Sequence, residues 1–387
     1  RWTLRSSFVN PFQACATFGR APWRVGNIFG GARAVTADVD IRVIGRAGRI
    51  TLRRPGARNA LNHAMVRAIS DALADWAAGP SPEIVVIDAE GPRAFCAGGD
   101  IAALYHAGRA GDVSAARDFW RDEYRMVARI ARHPVPVVTL MQGLTLGGGV
   151  GLGCHAACRI VGENSRIGLP QVAIGLMPDA GATALLARAP GALGAYLALT
   201  ADRIGPGDAI ACGLADHHVP EAAWPDLVAA METTGAVPAE VALHAPPDAP
   251  LAACAADIDV HFAQPTLGAV ARSLSGAAAD WAEAARAALA RHDPLAMACA
   301  MAALDRLRAD GAPDLDAALA LEYRFAHRAL SEGDFLEGVR AALIDRDGRP
   351  AWRIPTPMAV SASTVAAMLA PVQAEAGTAQ EHADWEA

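Results

Sequence analysis

The residues with the clearest capacity for chemistry fall in three short loops. The first is Ala94-Phe-Cys-Ala-Gly-Gly-Asp100, the second Gly147-Gly148-Gly149, and the third runs from Pro170-Gln171 to Pro178-Asp179-Ala-Gly181. The first two lie between an apolar run of strand character and a stretch of helical character. Consecutive glycines let a backbone approach a ligand with no Cβ in the way. Amides that open a helix point outward and carry partial positive charge. Two such loops facing each other would offer two N–H donors to one developing oxyanion, although each taken alone reads better as a tight turn. The third loop adds a carboxylate, Asp179, in a tight segment between Pro178 and Gly181.

Other chemistries are excluded by what is missing. All 34 basic residues are Arg, and the chain contains no Lys. A phosphate-binding loop of the Walker type and a Schiff base both need that amine. No G-x-G-x-x-G, G-x-S-x-G or H-E-x-x-H motif occurs. The cysteines, Cys15, Cys96, Cys154, Cys158, Cys212, Cys254 and Cys299, form no C-x-x-C pair. They read as buried thiols of a reducing compartment. Cys154 and Cys158, four residues apart around His155, read as helix-packing residues rather than metal ligands, because no second cluster completes a site. A formal charge of -7 argues against a nucleic-acid partner.

The elements that must position these loops read as an α/β chain. With 53% hydrophobic and 19% charged residues among 387, the chain can bury a sizeable core. Ile41–Leu52 reads as two strands around a turn at Gly45–Gly48. A helix runs from an Asn62 cap to Ala77, with Met65, Ile69, Leu73 and Trp76 at helical spacing. Glu83–Asp88 reads as a strand buried on both faces. His133–Cys158 holds no Asp, Glu or Arg, yet its prolines and six glycines favour a strand over Val135–Met141, a glycine turn and a helix from Gly148 over a membrane span. Alternating strands and helices predict a parallel sheet. Pro246–Pro250 reads as a linker, and the stretches Ala277–His292, Leu295–Asp310, Leu315–Leu330 and Phe335–Leu343 as helices. No internal repeat is visible. The division is therefore an Arg-rich, acid-poor extension over 1–37, a core over 38–250, a helical C-terminal portion over 251–372 and an acidic tail over 373–387. The extension reads as an organellar presequence or an upstream extension. The first places the protein in the mitochondrial matrix; a bacterial chain would be cytoplasmic.

Taken together the loops resemble the crotonase (enoyl-CoA hydratase/isomerase) superfamily. The motifs are Arg58-Asn-Ala-Leu-Asn62, FCAGGD, LGGGVGL, P-x-x-x-I-G-L-x-P-D-x-G, Gly194-Ala-Tyr-Leu-Ala-Leu-Thr200 and Gly213-Leu-Ala-Asp216. Asp122-Glu-Tyr124, Glu322-Tyr-Arg324, the block from Asp334 to Asp347 (DFLEGVRAALIDRD) and Pro350-Ala-Trp352 resemble the 3-hydroxyisobutyryl-CoA hydrolase branch. The resemblance implies a ββα spiral core and hydrolysis of a short 3-hydroxyacyl-CoA thioester, as in valine breakdown. It implies no metal or redox cofactor, coenzyme A being part of the substrate. It calls for no membrane and leaves room for a homo-oligomer. The thioester oxygen would sit between the amides of Gly99 and Gly148. Coenzyme A would lie against Arg58, Ala60, Leu61, Ala97, Gly99 and Asp100, with Arg54 and Arg58 as candidates for its phosphates.

Departures from the pattern carry as much information. Hydratases of the superfamily use two glutamates, at positions that here read Gly151 and Gln171. The hydrolase branch also lacks the first but keeps the second. An amide cannot act as a base at neutral pH. That leaves Asp179 and Glu123 as acid–base candidates, with Asp179 binding the 3-hydroxyl or orienting water and Glu123 lining the acyl pocket or forming a structural salt bridge. Three readings stay open: a hydrolase in which Asp179 or Glu123 activates water, a coenzyme A-binding pseudoenzyme, or a deliberate Glu-to-Gln variant. Enoyl-CoA hydratase or isomerase is the other enzyme reading.

Overall fold

A computed structural model describes residues 35–309, 311 and 313–372. The leader before Val35, Cys15 and the tail from residue 373 lie outside the described residues. Two short strands, β1 (Val35–Thr36) and β2 (Val39–Ile44), lead through a tight turn at Gly45–Arg46 into β3 (Ala47–Leu52). Helix α1 (His63–Ala78) follows, capped by Asn62, whose Oδ1 accepts from Met65 N–H at 2.9 Å. An Asn side chain satisfies one of the amides that a helix start leaves without an intrahelical partner.

From there the chain steps between two sheets in a repeating order. β4 (Ile84–Ala89) enters a large sheet and β5 (Ala94–Cys96) a small one; helices α2 (Ile101–Arg109) and α3 (Val113–Ala131) follow. β6 (Val137–Met141) returns to the large sheet, β7 (Leu144–Leu146) to the small one, and α4 (Gly148–Cys154) follows. β8 (Cys158–Val161) and β9 (Arg166–Gly168) repeat the step before α5 (Ala182–Arg188) and α6 (Leu193–Thr200). β10 (Arg203–Ile204) ends the small sheet and β11 (His217–His218) the large one. The large sheet runs β1-β2-β3-β4-β6-β8-β11 and the small one β10-β9-β7-β5. This is a ββα spiral, parallel within each sheet except at β1/β2, β2/β3 and β9/β10.

The apolar runs explain the placement. Ile84–Ile87 and Val137–Met141 are buried on both faces, as parallel strands under helices must be. The stretch that superficially resembles a membrane span is β6, β7 and α4. No helix among the described residues is long and apolar enough to cross a membrane. The expectation that Cys154 and Cys158 share a helix is corrected: α4 ends at Cys154, and Cys158 opens β8. The helix is short because residues 158–161 join the sheet.

Among the described residues nine further α-helices, and a π turn over Arg340–Ile344, follow residue 220. Helix Pro294–Ala309 packs on α5 and α6; helix Leu315–Ala329 packs on α3 and α5; helix Phe335–Val339 packs on α2 and on the 3-10 turn Pro170–Ile174. The Asp334–Asp347 block has a structural basis here. Arg340 grips Glu337 at 2.8 Å and Asp345 and Asp347 at 2.7 Å. Gly338 lies directly on the Ile174 backbone, where a Cβ would collide with its carbonyl. Gly338→Ala should therefore cost about 1–3 kcal/mol, as overpacking usually does, read as a lower denaturant midpoint at unchanged m.

Candidate active site

The small sheet brings the three loops together. β5, β7 and β9 are parallel neighbours, so their C-terminal ends emerge along one edge. Ligands of α/β folds bind off such edges. β5 leads to Gly98–Gly99, β7 to Gly147–Gly148, and β9 to Pro170–Gln171. A Cβ on Gly98, whose φ is +94°, would stand 2.8 Å from Leu146 O and 3.3 Å from Gly148 N. A Cβ on Gly148 would stand 3.4 Å from Gly99 N and collide with Glu123 Oε1. The two bends thus meet at backbone contact, and only glycine permits it. Among the described residues neither Gly99 N–H nor Gly148 N–H donates a hydrogen bond. They are two uncommitted amides at one place.

The turn over residues 54–62 fixes the first bend. Ala97 N–H donates to Arg58 O at 3.0 Å, Leu61 N–H to Gly98 O at 2.8 Å and Asp100 N–H to Leu61 O at 2.8 Å. Arg58 and Asn59 both adopt positive φ, a costly conformation for residues other than glycine. Buried Asn59 compensates: its Oδ1 accepts from Arg54 N–H and its Nδ2 donates to Glu90 O and Ala94 O. Arg54 is committed inside this turn, donating to Ala60 O at 2.7 Å and pairing with Asp100 at 3.1 Å. Arg58, by contrast, is exposed. Asp100 caps α2 through Ala103 N–H.

Behind the amides lie buried acids. Asp179, 4% exposed, accepts from Tyr124 O–H at 2.9 Å and from Gln171 Nε2–H at 3.1 Å. Burial pushes its carboxyl up to about 6, against the pull of these two hydrogen bonds. Gln171 Nε2 must face that carboxylate, so Oε1 points away from it, and this oxygen is buried without a partner. Glu123 is 2% exposed and its Oε1 also has no partner. Burial, and then the nearby Asp179 and Glu322, hold its carboxyl well above the usual range. That shift favours the neutral acid, and no ion pair with it is found among the described residues. Tyr124, likewise buried, is raised by burial and stays a donor.

Two of these roles are not assigned by the sequence reading. Tyr124 lies inside a recognised motif, but its hydroxyl's partner is 55 positions away. Glu322 is fully buried and accepts from Gly181 N–H at 2.7 Å and from Thr183 N–H and O–H at 2.8 and 2.6 Å. Its signal was present in the sequence: a lone acid on the apolar face of a helix. Among the described residues no group of three or more His, Cys, Asp or Glu side chains is arranged to hold a metal. Position 151 is closed: a Cβ there would stand 2.7 Å from both Ala180 Cβ and Ala180 O, and 3.0 Å from Val127 Cγ2.

A spiral of ββα units with paired amides at a strand edge defines a crotonase-type scaffold. The family model described as enoyl-CoA hydratase/isomerase matches residues 47–369, and the chain belongs to that family. It is 37% identical over 320 residues to the mitochondrial 3-hydroxyisobutyryl-CoA hydrolase of Xenopus tropicalis, covering 80% of this chain and 82% of that protein. It is 32% identical over 330 residues to the Homo sapiens protein of the same name, covering 80% and 82%. Among solved structures, an enoyl-CoA hydratase from Rhodobacter sphaeroides 2.4.1 is 54% identical with a TM-score of 0.83, over 87% of this chain and 98% of that one. A carnitinyl-CoA dehydratase from Mycobacterium thermoresistibile is 38% identical with a TM-score of 0.82, over 88% and 98%.

The closed position makes a specific expectation. Gly151→Glu should lower the melting temperature and leave crotonyl-CoA hydration, followed by loss of enoyl absorbance, at background.

Proposed function

We propose that the chain hydrolyses a short 3-hydroxyacyl-CoA thioester, of the 3-hydroxyisobutyryl kind, with Asp179 as the base. The observation that carries this reading is the state of Asp179. It is buried and bonded to Gln171, whose side chain lies against Gly147 of the second bend; both its oxygens are oriented by donors, and its affinity for a proton lies near that of a base working at neutral pH. Water gives a proton to Asp179 and its oxygen attacks the thioester carbon. The carbonyl oxygen takes up the negative charge between Gly99 N–H and Gly148 N–H, where one preorganised donor is worth about 3–4 kcal/mol. Collapse breaks the carbon–sulfur bond, the thiolate regains the proton, and the products are the acid and coenzyme A. Gln171 Oε1, an acceptor with nothing to accept from, suits the substrate's hydroxyl or the attacking water. Coenzyme A would follow the 58–61 turn and Ala97–Asp100, with exposed Arg58 at its phosphates. The reading calls on no metal and no redox group. The relatives named as 3-hydroxyisobutyryl-CoA hydrolases support the substrate class.

The hydratase reading is disfavoured by Gly151. Its chemistry needs a second carboxylate where Ala180 and Val127 leave no room. A pseudoenzyme reading draws on Gln171, and the same assay separates it. Thiol release from 3-hydroxyisobutyryl-CoA should be weak in this chain and rise at least tenfold in Gln171→Glu. A carboxylate at 171 would share one proton with Asp179 and keep one of the pair ionised. Tight coenzyme A binding with no release in either protein would mark a pseudoenzyme.

The sign of the pH dependence follows from Asp179. A base must be ionised to act, and its carboxyl is raised from 3.8 to about 6. Release should therefore climb as pH rises through about 6 and level off above it. Asp179→Asn should lose at least about a hundredfold, the lower end for a general base, and should lose that limb.

A further inference from the structure

We infer that Glu322, delivered from the C-terminal helix Leu315–Ala329, is a positioning residue whose carboxylate holds the Pro178–Gly181 loop and thereby aims Asp179. The inference rests on the hydrolase reading for what Asp179 does, but not for what Glu322 holds. The Asp179 loop is conformationally expensive. Ala180 has a φ of +58° and Gly181 follows at +80°, and a non-glycine residue in that region is strained. Such a turn persists only when its surroundings over-determine it. Two groups do so from opposite sides. His155, held neutral because burial pushes it down to about 4, donates from Nε2 to Gly181 O at 3.1 Å. Glu322 takes Gly181 N–H at 2.7 Å on one oxygen and both donors of Thr183 on the other.

The chemistry of the acceptor is specific. Glu322 is 0% exposed and no ion pair with a cation is found for it among the described residues. Burial raises its carboxyl to about 8 against the pull of three hydrogen bonds, and all three donors belong to the loop and the first turn of α5. A glutamine could satisfy only one side, because its NH2 would face either Gly181 N–H or the Thr183 donors. Glu322 itself reaches neither Gly99 nor Gly148 by any hydrogen bond. It acts through the loop.

Three measurements on the full chain test this: amide hydrogen exchange over residues 178–184, kcat and KM for thiol release from 3-hydroxyisobutyryl-CoA, and thermal melting. They are made on Glu322→Gln and on the milder Thr183→Val. Exchange over 178–184 should accelerate at least tenfold in Glu322→Gln and by a smaller factor in Thr183→Val. The kcat should fall at least tenfold while KM stays within about threefold. Unchanged exchange in that segment overturns the inference, and so does a loss carried by KM alone. If Glu322→Gln does not fold, Thr183→Val decides by the same criteria. If the parent chain releases no thiol, the hydrolase reading fails, and exchange over 178–184 still decides whether Glu322 clamps the loop.

Discussion

The site depends on one constraint: β5 and β7 must run parallel and adjacent, so that both chains leave the small sheet at the same edge. Everything that could activate a carbonyl follows from that. The paired amides come from bends so close that a Cβ on Gly98 would stand 3.3 Å from Gly148 N. Side chains could not hold two donors so tightly without entropy cost, whereas backbone amides in a sheet are already ordered. The spiral connection enforces the adjacency. Each unit lays one strand in the large sheet before placing the next in the small one, so successive small-sheet strands become neighbours.

Placing an oxyanion there sets an electrostatic problem, and the surrounding acids show how it is met. Glu123, Asp179 and Glu322 are all buried near one another. Three ionised carboxylates in a dry site would repel each other and a developing negative charge. Burial and the neighbouring acids raise Glu123, whose Oε1 lies against Gly148 with no donor, and so favour its neutral form. Asp179 and Glu322 retain acceptor roles because donors surround them. Gln171 belongs to the same balance. A carboxylate at that position would be a fourth acid beside Asp179; the amide supplies a donor instead and leaves Asp179 the more basic partner of the pair.

Much of this was legible in the residues. Asn62 reads as a cap and is one; the run of Ile84 to Ile87 reads as a buried strand and is one. Each glycine bend reads as a turn from strand to helix and is one; that the two bends meet depends on the pairing of β5 with β7. What escaped has a common cause. β7 spans three residues, too few for any periodicity to register, so it passes for part of a glycine turn. Cys158 reads as helical because its spacing from Cys154 is helical, but pairing with β6 overrides it. Arg54 looks free in sequence because its partners, Ala60 O and Asp100, become neighbours only when the first bend folds. Glu322 lies on an apolar face with Leu319, Phe325 and Ala326, which marks it as buried without saying by what.

The C-terminal portion therefore has a mechanical role that the loop motifs do not announce. It contacts three separate parts of the site. Leu330 and Leu336 crowd Gly108 of α2, the helix that Gly99 and Asp100 introduce. Gly338 seats on Ile174, in the turn that carries Gln171. Glu322 holds the loop that carries Asp179. All three contacts bridge long sequence separations, so the site is completed only after the last helices dock, and loop-closure entropy must be overcome first. A core folded without those helices would keep the β5–β7 amides, which the sheet itself aligns. It would lose the registration of Gln171 and Asp179 against them. The paired amides are thus set by the small sheet and the Asp179 loop is braced by the last helices, so their alignment is a property of how the two parts pack.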